Sequence, residues 1–346
     1  MKKQLVILSA VAAVTAFAVP AMAETTLYGS ARMATFYNMA DDKGAVGKTA
    51  GFDEHLQGNS RFGANFSNDA VSGKVELGTA VNTRLLYGTY NFGGGKLTVG
   101  QDYNSYYTFV AQTHGDDNGF NGYGALWDTR QAQIRVNMNN GLYFAAITPT
   151  GNVNGTPAAS GAIVPNAEAS SNIKLYLPKL NVGYAGKAGA ISYNAGVVGQ
   201  TFKNVTINEQ VNALLGYVNG KAGFGATTLM FNLSYAQNAG NMGFLGRQVY
   251  STAAKKNSQG FEGYVQLTQK LSDTLSANAG LGYVTDKVSG AAHADDKMSF
   301  FVNAPITLAK NVYITPEISY YDEMKSATGA SQAKSTAIGA QFRIDF

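Results

Sequence analysis

Charged side chains that could act together fall into two groups in this chain of 346 residues. Four arginines lie on the polar faces of separate segments in which polar and apolar residues alternate: Arg32, Arg61, Arg84 and Arg135. Two acids, Asp116 and Asp117, lie in a glycine-flanked segment between two such stretches. Opposed rows of fixed charge across a water-filled path would create an electric field that acts on dissolved ions.

The elements that must position these charges are two alternating segments, residues 96–102 and 128–138. A period of two predicts strands with two unlike faces. In a soluble sandwich the apolar face would be a core, whereas in a membrane barrel it would meet lipid and the polar face would line water. If the long connection between the two segments folds inward, its acids come to lie opposite the arginines.

The N-terminus has the pattern of an export signal. Lys2 and Lys3 precede an apolar run over residues 5–19, and Ala-Met-Ala at residues 21–23 is typical of a cleavage site. A membrane anchor is the alternative, but the apolar run is short for a spanning helix. We therefore expect a signal peptide over residues 1–23 and a single mature domain over residues 24–346.

The composition favours a barrel without deciding the question. The chain has 40 Gly, 20 Tyr and 18 Phe, and 14% of its residues are charged, which is typical of barrels and of soluble all-β proteins. It has no cysteine, so a closed hydrogen-bonded sheet must supply the stability that disulfides would give. Basic residues are scattered, which argues against nucleic-acid binding.

The alternating segments predict an all-β fold, a transmembrane antiparallel β-barrel of about sixteen strands. Tight turns at one end and long loops at the other predict short periplasmic turns and long external loops. Loops are expected at residues 38–57 and 148–170, and a tight turn at residues 219–221. Gly29 and Ala31 flatten the outward face of the first strand, either for contact with another barrel or to relieve crowding within one curved strand.

The chain resembles the general trimeric porins of Gram-negative outer membranes. The resemblance rests on short motifs in order along the chain: Thr-Leu-Tyr-Gly at residues 26–29, Ser-Arg-Phe-Gly at residues 60–63, Thr-Arg-Leu at residues 83–85, Leu-Thr-Val-Gly-Gln at residues 97–101, and the terminal Phe346. Phe346, with apolar residues at every second position before it, looks like the signal that the barrel assembly machinery recognises.

The resemblance implies that the third external loop folds into the barrel and narrows it. Arg32, Arg61 and Arg84 then correspond to the basic wall, with Arg130 or Arg135 as a further member, while Asp102, Asp116 and Asp117 supply the acids. The loop motif of the enterobacterial members, Pro-Glu-Phe-Gly-Gly-Asp, is absent. The family also implies a homotrimer in contact with outer-membrane lipid and lipopolysaccharide.

Passive diffusion of small hydrophilic solutes and ions is the expected function, without catalysis, cofactor or metal. A solute-specific porin is an alternative, because the third loop is rich in aromatic residues: Tyr103, Tyr106, Tyr107, Phe109, Phe120 and Tyr123. An outer-membrane enzyme is a weaker alternative. Its nucleophile would need a positioned base, the chain has no G-x-S-x-G motif, and all three histidines, His55, His114 and His293, fall in predicted loops.

Overall fold

The computed structural model describes residues 24–43, 47–116, 120–149 and 173–346, and one antiparallel sheet dominates it. The predicted signal peptide and Asp117 lie outside the described residues, as does most of the 148–170 loop. The strands are β1 (Glu24–Asp42), β2 (Gly47–Leu56), β3 (Arg61–Asn68), β4 (Val71–Gly78), β5 (Thr83–Asn91), β6 (Gly95–Tyr103), β7 (Arg130–Met138), β8 (Leu142–Ile147), β9 (Ile173–Leu175), β10 (Lys179–Ala188), β11 (Ile191–Asn204), β12 (Glu209–Phe224), β13 (Thr227–Gln237), β14 (Ser258–Lys270), β15 (Ser276–Val288), β16 (Asp295–Asn303), β17 (Ile306–Ala309), β18 (Val312–Asp322) and β19 (Lys334–Asp345).

The sheet closes on itself because the first and last strands pair. β1 runs antiparallel to β19, from Ser30 opposite Asp345 to Asp41 opposite Lys334. Three wall strands are interrupted: β2 and β3 both pair with β1, β9 and β10 with β11, and β16 and β17 with β18. The wall is therefore a closed barrel of sixteen antiparallel strands, which confirms the predicted fold. Closure leaves no unpaired sheet edge.

Alternation along each strand gives the barrel an apolar outside and a polar inside. In β19 the side chains of Phe342 and Ile344 are exposed on the outer surface, whereas Gln341, directly before Phe342, is buried on the inner face. In β1, Leu27 is exposed outward, whereas Arg32 is buried on the opposite face. A period of two is what a wall between lipid and an interior filled with polar groups requires.

Connections at the two ends of the barrel differ in length. Residues 189–190 and 310–311 form tight turns, in which Gly189 and Asn311 have φ of 58° and 64°. At the other end, residues 104–129 and 238–257 form long connections. In the part of the chain that the structure describes, no helix is long and apolar enough to span a membrane.

Two local predictions are wrong. Residues 47–56, expected within a loop, form β2, which pairs with the outer half of β1 and is almost wholly exposed. Lys48 and Glu54 interrupt the face that carries Ala50, Phe52 and Leu56, so the alternation that identifies a strand is weak here. Residues 219–221, expected as a turn, lie within β12, because the Asn219 side chain points inward and bonds the third loop. The turn falls instead at residues 225–226, where Gly225 has φ of 62°.

Candidate functional site

The third loop, residues 104–129 between β6 and β7, crosses the interior of the barrel. Inward-facing amides of distant strands bond its backbone: Asn194 Nδ2 of β11 donates to the Ser105 carbonyl at 2.6 Å, and Asn219 Nδ2 of β12 donates to the Tyr106 carbonyl at 3.0 Å. Further along, Gln266 Oε1 of β14 accepts from the Ala111 N–H at 2.7 Å. Since these strands are separated from β6 around the wall, the bonds hold the loop inside the barrel.

The middle of the third loop is anchored on β18 by one carboxylate. Glu317 accepts from the backbone N–H of Thr113 at 2.6 Å and of His114 at 2.9 Å, and from the Thr113 hydroxyl at 2.9 Å. The His114 ring lies 2.9 Å from the Tyr321 hydroxyl and 3.1 Å from Asn38 Oδ1. Burial lowers the pKa of His114 against the opposing effect of Glu317, so the ring favours its neutral form.

Most aromatic residues of the loop pack against one another or against the wall. Tyr103 stacks on Tyr107 with ring centroids 5.2 Å apart, and Tyr107 lies edge-on to Phe109 at 4.8 Å. Tyr106 and Phe120 have no exposed surface. Phe109 is 51% exposed, and among these five side chains it alone offers a broad surface to a passing solute.

The acid that pairs most closely with the wall arginines lies on the wall itself. Arg84 Nε donates to Glu76 Oε1 at 2.8 Å, and an Arg61 guanidinium nitrogen lies 3.7 Å from the same oxygen. The Tyr28 hydroxyl donates to Glu76 Oε2 at 2.8 Å. Glu76 is 1% exposed. Glu76 is not among the predicted site residues; its position on β4, between the strands that carry Arg61 and Arg84, is the signal that could have identified it.

Arg84 faces inward because the strand is irregular at this residue. Glu76 pairs with Leu85 and Leu77 pairs with Thr83, so Arg84 is an extra residue in β5 and forms a β-bulge. Arg84 and Leu85 are both buried as a result. Strict alternation from the exposed Leu86 would turn Arg84 outward, so its inward position depends on the bulge and not on alternation.

The other predicted basic residues occupy the same part of the wall. Arg135 donates to Asp102 at 2.8 Å in the neighbouring strand, which pairs two of the predicted site residues directly. The Arg130 guanidinium lies 5.6 Å from the ring centroids of both Tyr103 and Trp127, a cation–π geometry. Arg32 Nε donates to Ser30 Oγ at 3.0 Å on β1. We refer to Arg32, Arg61, Arg84, Arg130 and Arg135 as the arginine wall.

Among the described residues of the third loop, Asp116 is an acid that meets this wall. Its carboxylate accepts from the backbone N–H of Gly58, in the break between β2 and β3, and a Cβ on Gly58 would lie only 2.9 Å from Asp116 Oδ2. The Gly58 carbonyl in turn accepts from Arg84 at 3.2 Å. Burial raises the pKa of Asp116 despite His55, Gly58 and Arg84, which favour its ionised form.

Cavities lie on both sides of the third loop. One of about 490 Å³ is lined by Arg84, Arg130, Asp116 and Trp127 among others. The second, of about 480 Å³, is lined by the loop residues Phe109 and Thr113 and by Gln341 and Arg343 of β19. Charged groups thus flank the cavities where the loop approaches the wall.

The space over Gly29, one of two predicted trimer contacts, is filled by this chain itself. Gly29 and Phe346 exchange backbone hydrogen bonds of 2.5 and 3.0 Å. Any Cβ on Gly29 would overlap the Phe346 ring. Local sterics within one barrel therefore account for Gly29, whereas Ala31 is exposed on the outer surface and stays a candidate contact.

No protein-family model and no curated protein matches the chain. Solved structures do match it. The outer membrane channel DcaP of Acinetobacter baumannii is 18% identical, with 95% of this chain and 99% of that chain covered and a TM-score of 0.73. An anion-selective porin from Comamonas acidovorans is 12% identical, with 94% and 100% covered and a TM-score of 0.61. OmpT of Vibrio cholerae is 17% identical, with 93% and 98% covered and a TM-score of 0.59.

These similarities extend over nearly the whole length of each chain. Together with the closed barrel and its inward third loop, they define the class: this chain has the fold of the porins of Gram-negative outer membranes, as the sequence resemblance implied.

Proposed function

We propose that the protein is a water-filled outer-membrane channel through which small hydrophilic solutes and ions diffuse passively. The observation that carries this proposal is the arginine wall facing the third loop, with cavities on both sides of the loop. A barrel of this strand number is too wide for its own wall side chains to fill. The channel structures that share the fold support the same class of function.

The charges act as a fixed field across the passage. Arginine stays protonated at physiological pH, and the rigid wall holds its charge in place. Diffusion through the passage requires no coupling to an energy source. Glu76 and Asp102 offset part of the positive charge, and Asp116 supplies negative charge from the third loop. Since the five arginines outnumber these three acids, we expect a modest preference for anions.

We further propose that three copies assemble, with Ala31 of β1 at or near the contact. A trimer form is known for OmpT of Vibrio cholerae, which shares the fold. The apolar outer surface can contact either lipid or another barrel. The C-terminal strand ends at Phe346, and this end can be recognised by the barrel assembly machinery. Catalysis forms no part of the proposal.

The test is conductance of the purified protein in planar bilayers, with the reversal potential measured in a salt gradient. Ohmic steps that close in three equal levels, with a reversal potential on the anion side, are expected. A folded barrel that passes no current would refute the proposal. Current that small sugars or acids block at low concentration would favour a solute-specific channel, in which the exposed Phe109 ring is the candidate contact.

A further inference from the structure

A second loop also folds into the barrel. The β13–β14 loop, residues 238–257, contains a short 3-10 helix, Ala239–Met242, whose four residues are all buried. Left-handed residues flank this helix, since Asn238 and Gly243 have φ of 55° and 89°. Surface loops are normally exposed, so burial of the first half of this one shows that it packs into the interior.

A buried charge cluster fixes the loop to the wall. Arg247 has no exposed surface; its Nε lies 3.0 Å from Asp286 of β15, and another guanidinium nitrogen lies 3.1 Å from Glu262 of β14. It also donates to the Gly260 carbonyl at 2.9 Å. A buried cation is tolerated only where it is paired and hydrogen-bonded, as it is here.

The same loop is bonded to the third loop. The Leu245 N–H donates to the Trp127 carbonyl at 3.0 Å. The backbones of Gly246 and Gly122 touch so closely that a Cβ on Gly246 would overlap Gly122. Because both glycines also have positive φ, of 71° and 80°, larger residues are disfavoured at this crossing for two reasons.

One buried lysine joins the two loops at a second point. Lys179, at the start of β10, pairs with Asp128 of the third loop and lies 3.3 Å from the Met242 carbonyl of the β13–β14 loop. The Tyr106 hydroxyl donates to the same Asp128 carboxylate. The two loops are therefore fixed to each other as well as to the wall.

We infer that the β13–β14 loop is a second size-limiting element of the channel. It packs behind the third loop on the side of β10, β14 and β15, where its bonds to Lys179, Glu262 and Asp286 lie. Because the loop fills that side of the barrel, solutes can pass only along the arginine wall. Leu245 of the same loop lines the cavity there. This inference rests on the proposed channel function, and it adds that the size limit is set by two loops together.

The direct test replaces residues 239–247 with a short Gly-Ser linker and measures single-channel conductance with polyethylene glycols of graded size. We expect conductance to rise at least about 1.5-fold, because the passage widens, and larger polymers to enter. The matched control is Lys255→Gln, in the exposed half of the same loop, where the lysine pairs with Glu209 at the surface. It should leave both quantities unchanged.

A second variant covers failure of the deletion to fold. Arg247→Met combined with Glu262→Gln and Asp286→Asn removes the charges without leaving one unpaired, so the barrel is spared while the loop loses its anchor. Larger polymers should enter this variant too. Parent-like conductance and exclusion size in a folded variant of either kind would overturn the inference, whereas a parent that does not conduct would overturn the proposed function instead.

Discussion

The two halves of the barrel wall use the same alternating strands for different purposes. On the half formed by β1, β3, β5 and β7, inward positions carry arginines paired with acids beside open cavities. On the half from β11 to β16, inward positions carry carboxamides that bond the backbone of the third loop: Asn194, Asn219, Asn232, Gln266 and Asn303. We call this second half the docking wall.

The difference shows that the chemical type of an inward polar side chain indicates the role of that part of the wall. A neutral amide both donates and accepts, so it can satisfy a buried loop carbonyl or N–H without bringing charge into a dry contact. An arginine keeps its charge and suits a site that retains water. Inward amides that bond loop backbone therefore mark the surface on which loops dock, and inward arginines beside a cavity mark the passage. The inward acids Glu262, Asp286 and Glu317 are exceptions, because paired or hydrogen-bonded loop groups cover them.

The largest change is expected from releasing the third loop at Glu317. Glu317→Ala removes the acceptor of three hydrogen bonds from Thr113 and His114. Hydrogen bonds to a charged group contribute roughly 1.5–3 kcal/mol each, so this part of the loop should detach. Bilayer recordings should show larger, noisier conductance and weaker ion selectivity.

Glu317→Gln is the matched control, because it keeps one carbonyl acceptor and should lie between the parent and the alanine variant. If the alanine variant folds and conducts like the parent, the loop is held by the carboxamides alone and the anchoring role of β18 is wrong.

Neutralising the arginine wall should change selectivity more than conductance. In Arg61→Gln combined with Arg84→Gln, two positive charges disappear while Glu76 stays, so the anion-to-cation permeability ratio should fall roughly threefold. The reversal potential in a salt gradient measures this ratio. Lys187→Gln, at an exposed position near a turn, removes a charge away from the passage and should have no effect. An equal shift in both variants would mean that overall charge, and not the arginine wall, sets selectivity.

A smaller effect is expected from Asp116. Burial raises its pKa, so as the pH falls it is protonated earlier than an ordinary aspartate, whose pKa is about 3.9. The arginines remain charged over this range, so anion preference should increase as the pH falls through the raised pKa of Asp116. The measurement is the reversal potential in a salt gradient, recorded at steps between about pH 7 and pH 4.

Asp116→Asn should show the increased anion preference already at neutral pH and lose that part of the pH dependence. If the pH profiles of parent and variant coincide, Asp116 does not face the passage.

Much of the fold could be predicted from the sequence, because a wall between lipid and water enforces a period of two over most of its strands. The exceptions have local causes. In β2, Lys48 and Glu54 interrupt the apolar face and weaken the alternation. The Asn-Gly pair at residues 219–220 resembles a turn, although Asn219 bonds the third loop. Such contacts between distant segments leave no periodic signal.

The site was only partly predictable for the same reason. The alternation of inward and outward positions places Arg61 and Arg135 on the inner face. The inward position of Arg84 depends on a bulge that alternation does not reveal. The burial of the β13–β14 loop depends on Arg247 meeting Glu262 and Asp286, which come together only when three segments assemble. Asp117 lies outside the described residues, so its place in the acidic group stays a prediction.

The central claim, that solutes pass along the arginine wall and not along the docking wall, is tested most directly by cysteine accessibility. The chain has no cysteine, so single variants report one position each. Asn82→Cys places a thiol on the cavity beside Arg84, and Ser234→Cys places one on the buried inner face of β13. A charged methanethiosulfonate reagent added during bilayer recording should reduce the current through Asn82→Cys and leave Ser234→Cys unchanged. Rapid block through Ser234→Cys, with Asn82→Cys unaffected, would contradict the account.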